Sequence, residues 1–203
     1  MKHISIKWKA LIFSALLVAI PTVTLGVWSY YSSKREIYSS VEKRLKEQVV
    51  MIANHLETSM NITQEKVNSD LNVAHDILYS YGRPGLSDEQ IQTDAVHQLT
   101  GKRRSVTIPA MVINGRQAAY HHEIVDKIQG LVGGTATIFQ MIPGGALRIS
   151  TNVLKSDGTR AVGTYIPDDS PVYKTVTRGD IFYGRAYVVN AWYQTAYEPI
   201  QNA

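Results

Sequence analysis

Arginine and tyrosine residues recur at alternate positions in the last third of the chain, in an arrangement suited to binding a small carboxylate. Tyr183, Arg185 and Tyr187 alternate within one stretch, and Tyr193 and Tyr197 within the next. Side chains at alternate positions of a β-strand lie on one face. A guanidinium can hold a carboxylate through two parallel hydrogen bonds, and phenols can add further polar contacts. The sequence therefore predicts a ligand pocket, provided that the register of the two strands brings both sets to one face.

Two residues on other predicted strands extend this candidate site. Arg148 supplies a second guanidinium, and Tyr165 supplies a further phenol. The alternative is that the tyrosines pack the helix-covered face of the sheet while Arg185 pairs with Asp180 or Glu198. Both interpretations stay open at the level of sequence.

Catalytic and metal chemistry have weaker signals. His121 and His122 precede Glu123, but adjacent residues of a strand point apart and no HExxH spacing is present. The sequence also lacks cysteine, a GxSxG motif, a phosphate loop and a Rossmann fingerprint, so we predict no catalytic residue, no metal site and no cofactor. An anchored periplasmic hydrolase, using one of the histidines with Asp168 or Asp169, is the alternative from the enzyme class.

The net positive charge of the chain lies in its first 50 residues. Of 21 basic and 17 acidic side chains, eight basic and three acidic ones lie within residues 1–50, so the rest of the chain is close to neutral. Nucleic-acid-binding domains instead spread lysine and arginine over a folded face that follows the phosphates. We therefore expect no nucleic-acid partner.

Residues 10–33 form a predicted transmembrane helix. These 24 residues carry no charge, and about 20 apolar residues are enough to cross a bilayer. Trp28, Tyr30 and Tyr31 fall where interfacial aromatic residues occur. A cleaved signal peptide is the alternative, but no small-x-small cleavage site follows the apolar run. We expect residues 1–9 to be a cytoplasmic tail, although lysines and arginines on both sides leave the orientation undecided by charge.

Residues 34–81 form a predicted long helix. Apolar or small residues recur from Ile37 to Leu78 at a mean spacing of about 3.7, close to the 3.6 of an α-helix. Such a helix is longer than a domain core requires, so we expect a stalk, and a homodimer formed through it. The alternative is two shorter helices with a break near residues 59–63.

The sequence of residues 82–100 predicts a turn and a short helix, with Ser87 as N-cap and Gln90 completing a capping box. Residues 101–105 are predicted to form a solvated basic loop.

The remainder of the chain predicts an α+β domain. β-Branched and aromatic residues alternate with turn signals such as Asn114-Gly115 and Asp157-Gly158. Two helices intervene, at residues 123–131 and 170–178, and Ser170 with Pro171 form a helix start in the second. The predicted strands cover residues 106–113, 135–141, 147–152, 161–165, 183–189 and 192–197.

Seven stretches of this domain resemble the Cache sensor domains of bacterial methyl-accepting chemotaxis proteins, and more narrowly the Cache 3/Cache 2 fusion type. They are VDKI (125–128), GGTATIF (133–139), RISTNV (148–153), DGTRAVGT (157–164), SPVY (170–173), GRA (184–186) and WYQTAYEPI (192–200). Related extracytoplasmic domains also serve histidine kinases and cyclases, which remain alternatives for the output.

The resemblance implies a PAS-like antiparallel sheet, spanning residues 82–203, mounted on the long helix. It also implies a sensor that faces the periplasm and binds a small-molecule ligand. Because residues 10–33 are the one apolar span in the sequence, we expect a single-pass protein of the inner membrane. Such receptors continue into one more strand, a second membrane helix, a HAMP linker and a signalling domain. We therefore expect a C-terminally truncated form that lacks the last strand of its sheet.

Overall fold

The computed structural model describes residues 6–119 and 121–200. Residues 1–5 of the predicted tail, Tyr120, and residues 201–203 at the end of the predicted sensor domain lie outside the described residues. The chain forms two compact units, residues 1–58 and 59–203.

Helix α1, Ile6–Ser80, includes both the predicted membrane span and the predicted long helix. Its described residues up to Thr58 are all exposed. Pro21 lies inside it and cannot donate a backbone hydrogen bond. The hydroxyl groups of Thr22 and Thr24 donate to the carbonyl oxygens of Val18 and Ile20 in the preceding turn, at 2.7 and 3.0 Å. Within the described residues, α1 is the one helix long and apolar enough to cross a membrane. The alternative break near residues 59–63 is absent from it.

A six-stranded mixed sheet forms the centre of the second unit, and its strands have the order β3-β2-β1-β6-β5-β4. Neighbours pair antiparallel except β1 and β6, which pair in parallel through Val96 and Thr164. The predicted fold class, an α+β domain with an antiparallel sheet after a long N-terminal helix, is confirmed, and the pairing of β1 with β6 is the one parallel pair among the described strands. The strands are β1 Pro84–His97, β2 Arg103–Ile113, β3 Arg116–Gln117, β4 Thr137–Ile142, β5 Gly145–Thr151 and β6 Thr164–Pro167.

Strand β1 replaces the short helix predicted after residue 82. Ser87 does not cap a helix; its hydroxyl donates to the carbonyl oxygen of Ala110 on β2. Ile91 and Ala95 lie on the inner side of the strand, and Ile91 pairs with Ile108 of β2. Apolar side chains on one face favour a strand here. The capping box does not outweigh this, because no apolar residues at helical spacing follow it. The predicted basic loop, residues 101–105, is also shorter than expected, because β2 already begins at Arg103.

Glycine is required where β4 turns into β5. The turn residue Gly144 has φ +78°, which favours glycine. At Gly145, a Cβ atom would lie closer to the backbone oxygen of Ile166 than real Cβ atoms approach, and 2.7 Å from the Tyr165 ring. The close approach of β6 to the start of β5 therefore depends on this glycine.

Two short helices and a separate hairpin cover the sheet. Helix α2, Glu123–Val132, confirms the first predicted helix. Helix α3, Pro171–Val176, begins with the Ser170 side chain accepting a hydrogen bond from the Val172 amide, as predicted. Strands β7, Phe182–Val188, and β8, Ala191–Tyr197, form a second, two-stranded sheet.

The sheet packs apolar residues on both of its faces. One core joins the C-terminal end of α1, through Leu78, to Val125 of α2 and Leu147 of β5. A second core joins Ala146 and Ile166 of the sheet to α3 and to the β7–β8 hairpin. A layer of polar and aromatic residues lies beside this second core.

Candidate ligand-binding site

Arg148 is buried in the middle of β5, between the sheet and its covering elements. Only 1% of the residue is exposed. Its guanidinium carbon lies 4.9 Å from the centroid of the Phe139 ring on β4, and its Nη1 donates to the hydroxyl of Thr164 on β6. Neighbouring strands therefore fix this cation from two sides.

The Arg148 guanidinium has spare hydrogen-bonding capacity. Nε and Nη2 are buried and have no hydrogen-bond partner among the described residues. Burial lowers the pKa of Arg148 well below its usual range, to about 10, so the side chain remains cationic at neutral pH. An unpaired buried donor costs about 1–3 kcal/mol, and more when it is charged. A bound carboxylate or another anion would remove that penalty by accepting two parallel hydrogen bonds.

Tyr197 of β8 is the predicted site residue that reaches Arg148. Its ring centroid lies 5.9 Å from that of Phe139 and 6.1 Å from that of Phe182. Burial raises the pKa of the Tyr197 phenol, and the charge of Arg148 opposes this shift. The phenol is therefore neutral at physiological pH and retains its proton as a hydrogen-bond donor. Together, Arg148, Tyr197 and Phe139 form the polar and aromatic cluster, which we call the Arg148 cluster.

The hairpin register separates the remaining candidates on β7 and β8. Tyr193 pairs with Ala186, and Arg185 pairs with Gln194. Because side chains alternate, Tyr193 and Tyr197 share the face of Ala186, which packs inward. Tyr183, Arg185 and Tyr187 lie on the opposite face. The register therefore does not bring the two sets to one side of the sheet.

The outward set forms its own aromatic contacts. The Arg185 guanidinium lies 5.6 Å from the Trp192 ring centroid, and the Tyr187 ring lies 5.8 Å from it. Trp192 is 62% exposed and Tyr183 is 48% exposed. The alternative pairing of Arg185 with Asp180 or Glu198 is not found either, since Asp180 contacts Arg178 and Glu198 contacts His75.

Tyr165 lies on the other face of the sheet from Arg148. It pairs with Leu147 and belongs to the core that includes α1 and α2. The Arg104 guanidinium stacks on its ring at 5.0 Å, and the His97 ring lies 5.2 Å away. The structure therefore does not bring Tyr165 to the Arg148 cluster.

Two members of the site were not predicted from the sequence. Phe139 and Thr164 contact the Arg148 guanidinium from adjacent strands. The signal for Phe139 was its place in a predicted strand next to the strand of Arg148. The register that joins them contains a bulge between Ile138 and Phe139, which no sequence pattern specifies.

The residues of the alternative hydrolase lie in two different loops. The His122 ring nitrogen Nδ1 lies 3.2 Å from the Ser150 hydroxyl, and burial together with Arg160 lowers the pKa of His122. Asp168 and Asp169 lie in the turn before α3. Within the described residues, no hydrogen bond or ion pair joins either histidine to either aspartate. Across the same residues, no group of three or more potential metal ligands is present.

The hairpin also contacts the last turns of α1. Gln64 donates to the carbonyl oxygen of Thr195 and accepts from the Gln194 side chain, at 3.3 and 3.2 Å. Further along α1, His75 contacts Glu198, the residue that follows β8. A displacement of the hairpin would therefore act directly on α1.

Comparison with known proteins gives one match. The profile of the Cache 3/Cache 2 fusion domain matches residues 30–203, which is most of the chain. No curated protein and no solved structure matches.

Proposed function

The chain belongs to the Cache 3/Cache 2 fusion family, and on that basis we propose that it is the ligand-sensing part of a methyl-accepting chemotaxis receptor. Cache domains are extracellular small-molecule sensors. The role in chemotaxis is supported by the order of the seven sequence stretches and by the apolar helix that precedes the domain.

The observation that carries the ligand proposal is the buried, incompletely paired guanidinium of Arg148. A protein rarely retains a buried charge without partners unless the charge has a role. Nε and Nη2 supply two donors for a carboxylate, while the Tyr197 phenol and the Phe139 ring lie beside them. We assign a small carboxylate to this cluster. Arg185, Tyr183 and Tyr187 are excluded from the assigned site because they lie on the outer face of the hairpin.

The route of the signal follows from the contacts of the hairpin. We place the entry of the carboxylate between the sheet and β8, because the Tyr197 ring lies beside Phe139, the ring that faces the Arg148 guanidinium. A shift of β8 is passed to α1 through Gln64 and through the pair of His75 and Glu198. A displacement of an ångström or two is typical of such transitions.

The membrane and dimer proposals concern the N-terminal unit. We propose that residues 10–33 span the inner membrane, with residues 1–9 in the cytoplasm and the sensor in the periplasm. We also propose a homodimer through the long helix, because this segment exposes an apolar stripe: Ile37, Val41, Leu45, Val49, Ile52 and Leu56. Placing a reporter enzyme that is active only in the periplasm after residue 200 tests the orientation, and an inactive fusion would refute it.

Ligand binding is tested by thermal unfolding of the full chain in nanodiscs. A library of small carboxylates is screened, since a ligand held only by the folded state raises the melting temperature. The variant Arg148→Met keeps the aliphatic stem on Phe139 but removes the donors, so it should abolish the shift. Arg185→Met is the matched control and should retain the shift. An equal loss in both variants, or a shift retained in Arg148→Met, would refute the assigned site.

The chemotaxis role is tested in the host cell. Deletion of the gene should remove the swimming response to the ligand found above and leave motility and other responses intact. A change in transcription or in cyclic nucleotide level, with chemotaxis unchanged, would instead assign the domain to a kinase or a cyclase.

A further inference from the structure

A cleft lies on the side of the domain where α1 ends, apart from the Arg148 cluster. Its volume is about 280 Å³. Its lining includes the buried residues Ile113, Ile124 and Ile138 and the half-buried Tyr81. Typical ligand pockets begin near 300 Å³, so the cleft admits only a small molecule with a short apolar body.

Charges of both signs line the opening of this cleft. Arg116 comes from β3 and Glu123 from the first turn of α2. Among the described residues, no hydrogen bond or ion pair engages the Arg116 side chain. Glu123 has one distant contact, 3.9 Å from His121, and both side chains are largely exposed. Neither charge is therefore neutralised by a close partner, and each can bind a ligand group of opposite sign.

From this arrangement we propose that the cleft is a second binding site, for a small zwitterion with an apolar body. The carboxylate of the ligand binds the Arg116 guanidinium, and its ammonium group binds the Glu123 carboxylate. The apolar body contacts the side chains of Ile113, Ile124 and Ile138. Charge-assisted hydrogen bonds to exposed partners are modest individually, so the site requires both charges and the apolar contact together.

The position of the cleft gives the site a regulatory consequence. Tyr81 directly follows α1, and the Lys127 ammonium of α2 lies 5.2 Å from the centroid of its ring. A ligand in the cleft contacts Tyr81 and α2 together, and so acts on the C-terminal end of α1. This site does not depend on the carboxylate assigned to Arg148.

Calorimetric titration of the full chain in nanodiscs with L-leucine tests the proposal. The wild type should bind it, and Arg116→Gln and Glu123→Gln should each weaken binding roughly tenfold. Arg178→Gln and Glu89→Gln, which alter exposed charges elsewhere, should leave affinity unchanged. Arg148→Met should also leave it unchanged, which separates this site from the first one. No heat of binding up to about 10 mM, the range of a weak site, would overturn the proposal, as would an equal loss in the control variants.

A second set of titrations uses ligand variants on the Arg148→Met chain, because 4-methylpentanoate is itself a small carboxylate and would also bind the Arg148 cluster of the wild type. 4-Methylpentanoate lacks the ammonium group, isopentylamine lacks the carboxylate, and glycine lacks the apolar body. Each should bind at least tenfold more weakly than L-leucine. In addition, Glu123→Gln should not weaken 4-methylpentanoate further, because the lost partner is the ammonium. Equal affinity for all four compounds would overturn the assignment.

Discussion

His75 Nδ1 lies 3.1 Å from both carboxylate oxygens of Glu198, and this contact joins α1 to the chain just after β8. The two residues are far apart in sequence, and both side chains are partly exposed to solvent. The His75 ring also stacks on Tyr79, with centroids 4.5 Å apart. The pair therefore connects α1 to the end of the hairpin.

A double-mutant cycle should detect this connection. His75→Ala and Glu198→Gln should each destabilise the domain, and the double variant should be less destabilised than the sum. We expect a coupling energy of about 0.2–1 kcal/mol, the range for partly exposed pairs. The measurement is urea unfolding of the four proteins. Additive effects would show that the contact does not hold α1 to the hairpin.

Arg148 and Tyr197 should have opposite effects on stability at alkaline pH. The pKa of Arg148 is about 10 in the folded protein and higher in the unfolded chain, where the guanidinium is not buried. Above pH 10 the folded protein therefore releases this proton first, and stability rises with pH. The pKa of Tyr197 is raised in the folded state. The unfolded chain thus loses the phenol proton first, and stability falls as pH rises.

Variants at these two positions separate the two effects. Arg148→Met should reveal the fall due to Tyr197, and Tyr197→Phe should reveal the rise due to Arg148. At pH 7, Arg148→Met should stabilise the ligand-free protein by roughly 1–3 kcal/mol, because it removes a buried cation with unpaired donors. Urea midpoints measured from pH 7 to 11.5 test all three expectations. A strong loss of stability in Arg148→Met at pH 7 would mean that the guanidinium serves structure rather than ligand.

Gly145 and Gly130 should respond oppositely to alanine. At Gly145 a Cβ atom meets the backbone of β6, so Gly145→Ala should destabilise by about 2 kcal/mol or more. At Gly130, inside α2, a Cβ atom meets open space, so Gly130→Ala should stabilise by about 0.5–1 kcal/mol. Thermal unfolding of both variants tests the contrast. A small effect at Gly145 would show that β5 and β6 can move apart without loss of stability.

Cysteine cross-linking tests the homodimer. The sequence contains no cysteine, so a single introduced thiol reports without background. Val49→Cys lies on the apolar stripe of α1 and should form a disulfide between two copies in the membrane. Glu47→Cys lies about half a turn around the helix and should cross-link far less. Equal cross-linking of the two variants would argue against a specific dimer along this stripe.

Local signals predicted most of the secondary structure. Helix α1 follows from the apolar period, and α3 follows from Ser170 and Pro171, both of which act as predicted. The turn dipeptide Asn114-Gly115 also separates β2 from β3, as expected. The failure near Ser87 has a clear cause: a short capping pattern carries little free energy compared with the pairing of β1 along β2.

The candidate site was only partly predictable, because it depends on contacts between strands. The alternation of Tyr193 and Tyr197 correctly placed them on one face of β8. Their relation to Arg185 depends on the register of the hairpin, and a shift by one residue would have reversed it. Similarly, the burial of Arg148 depends on which elements cover β5, and no local pattern in the sequence contains that information.

The parallel pairing of β1 with β6 has a consequence for the order of folding. Val96 meets Thr164 only after β2, β3, α2, β4 and β5 have been added to the chain. Contacts of such long sequence separation require the closure of a large loop and slow the formation of the native state. The hairpin of β1 and β2 can form early, but its free edge stays open until β6 arrives. During synthesis from the N-terminus, this edge of β1 therefore stays unpaired while residues 98–163 are added.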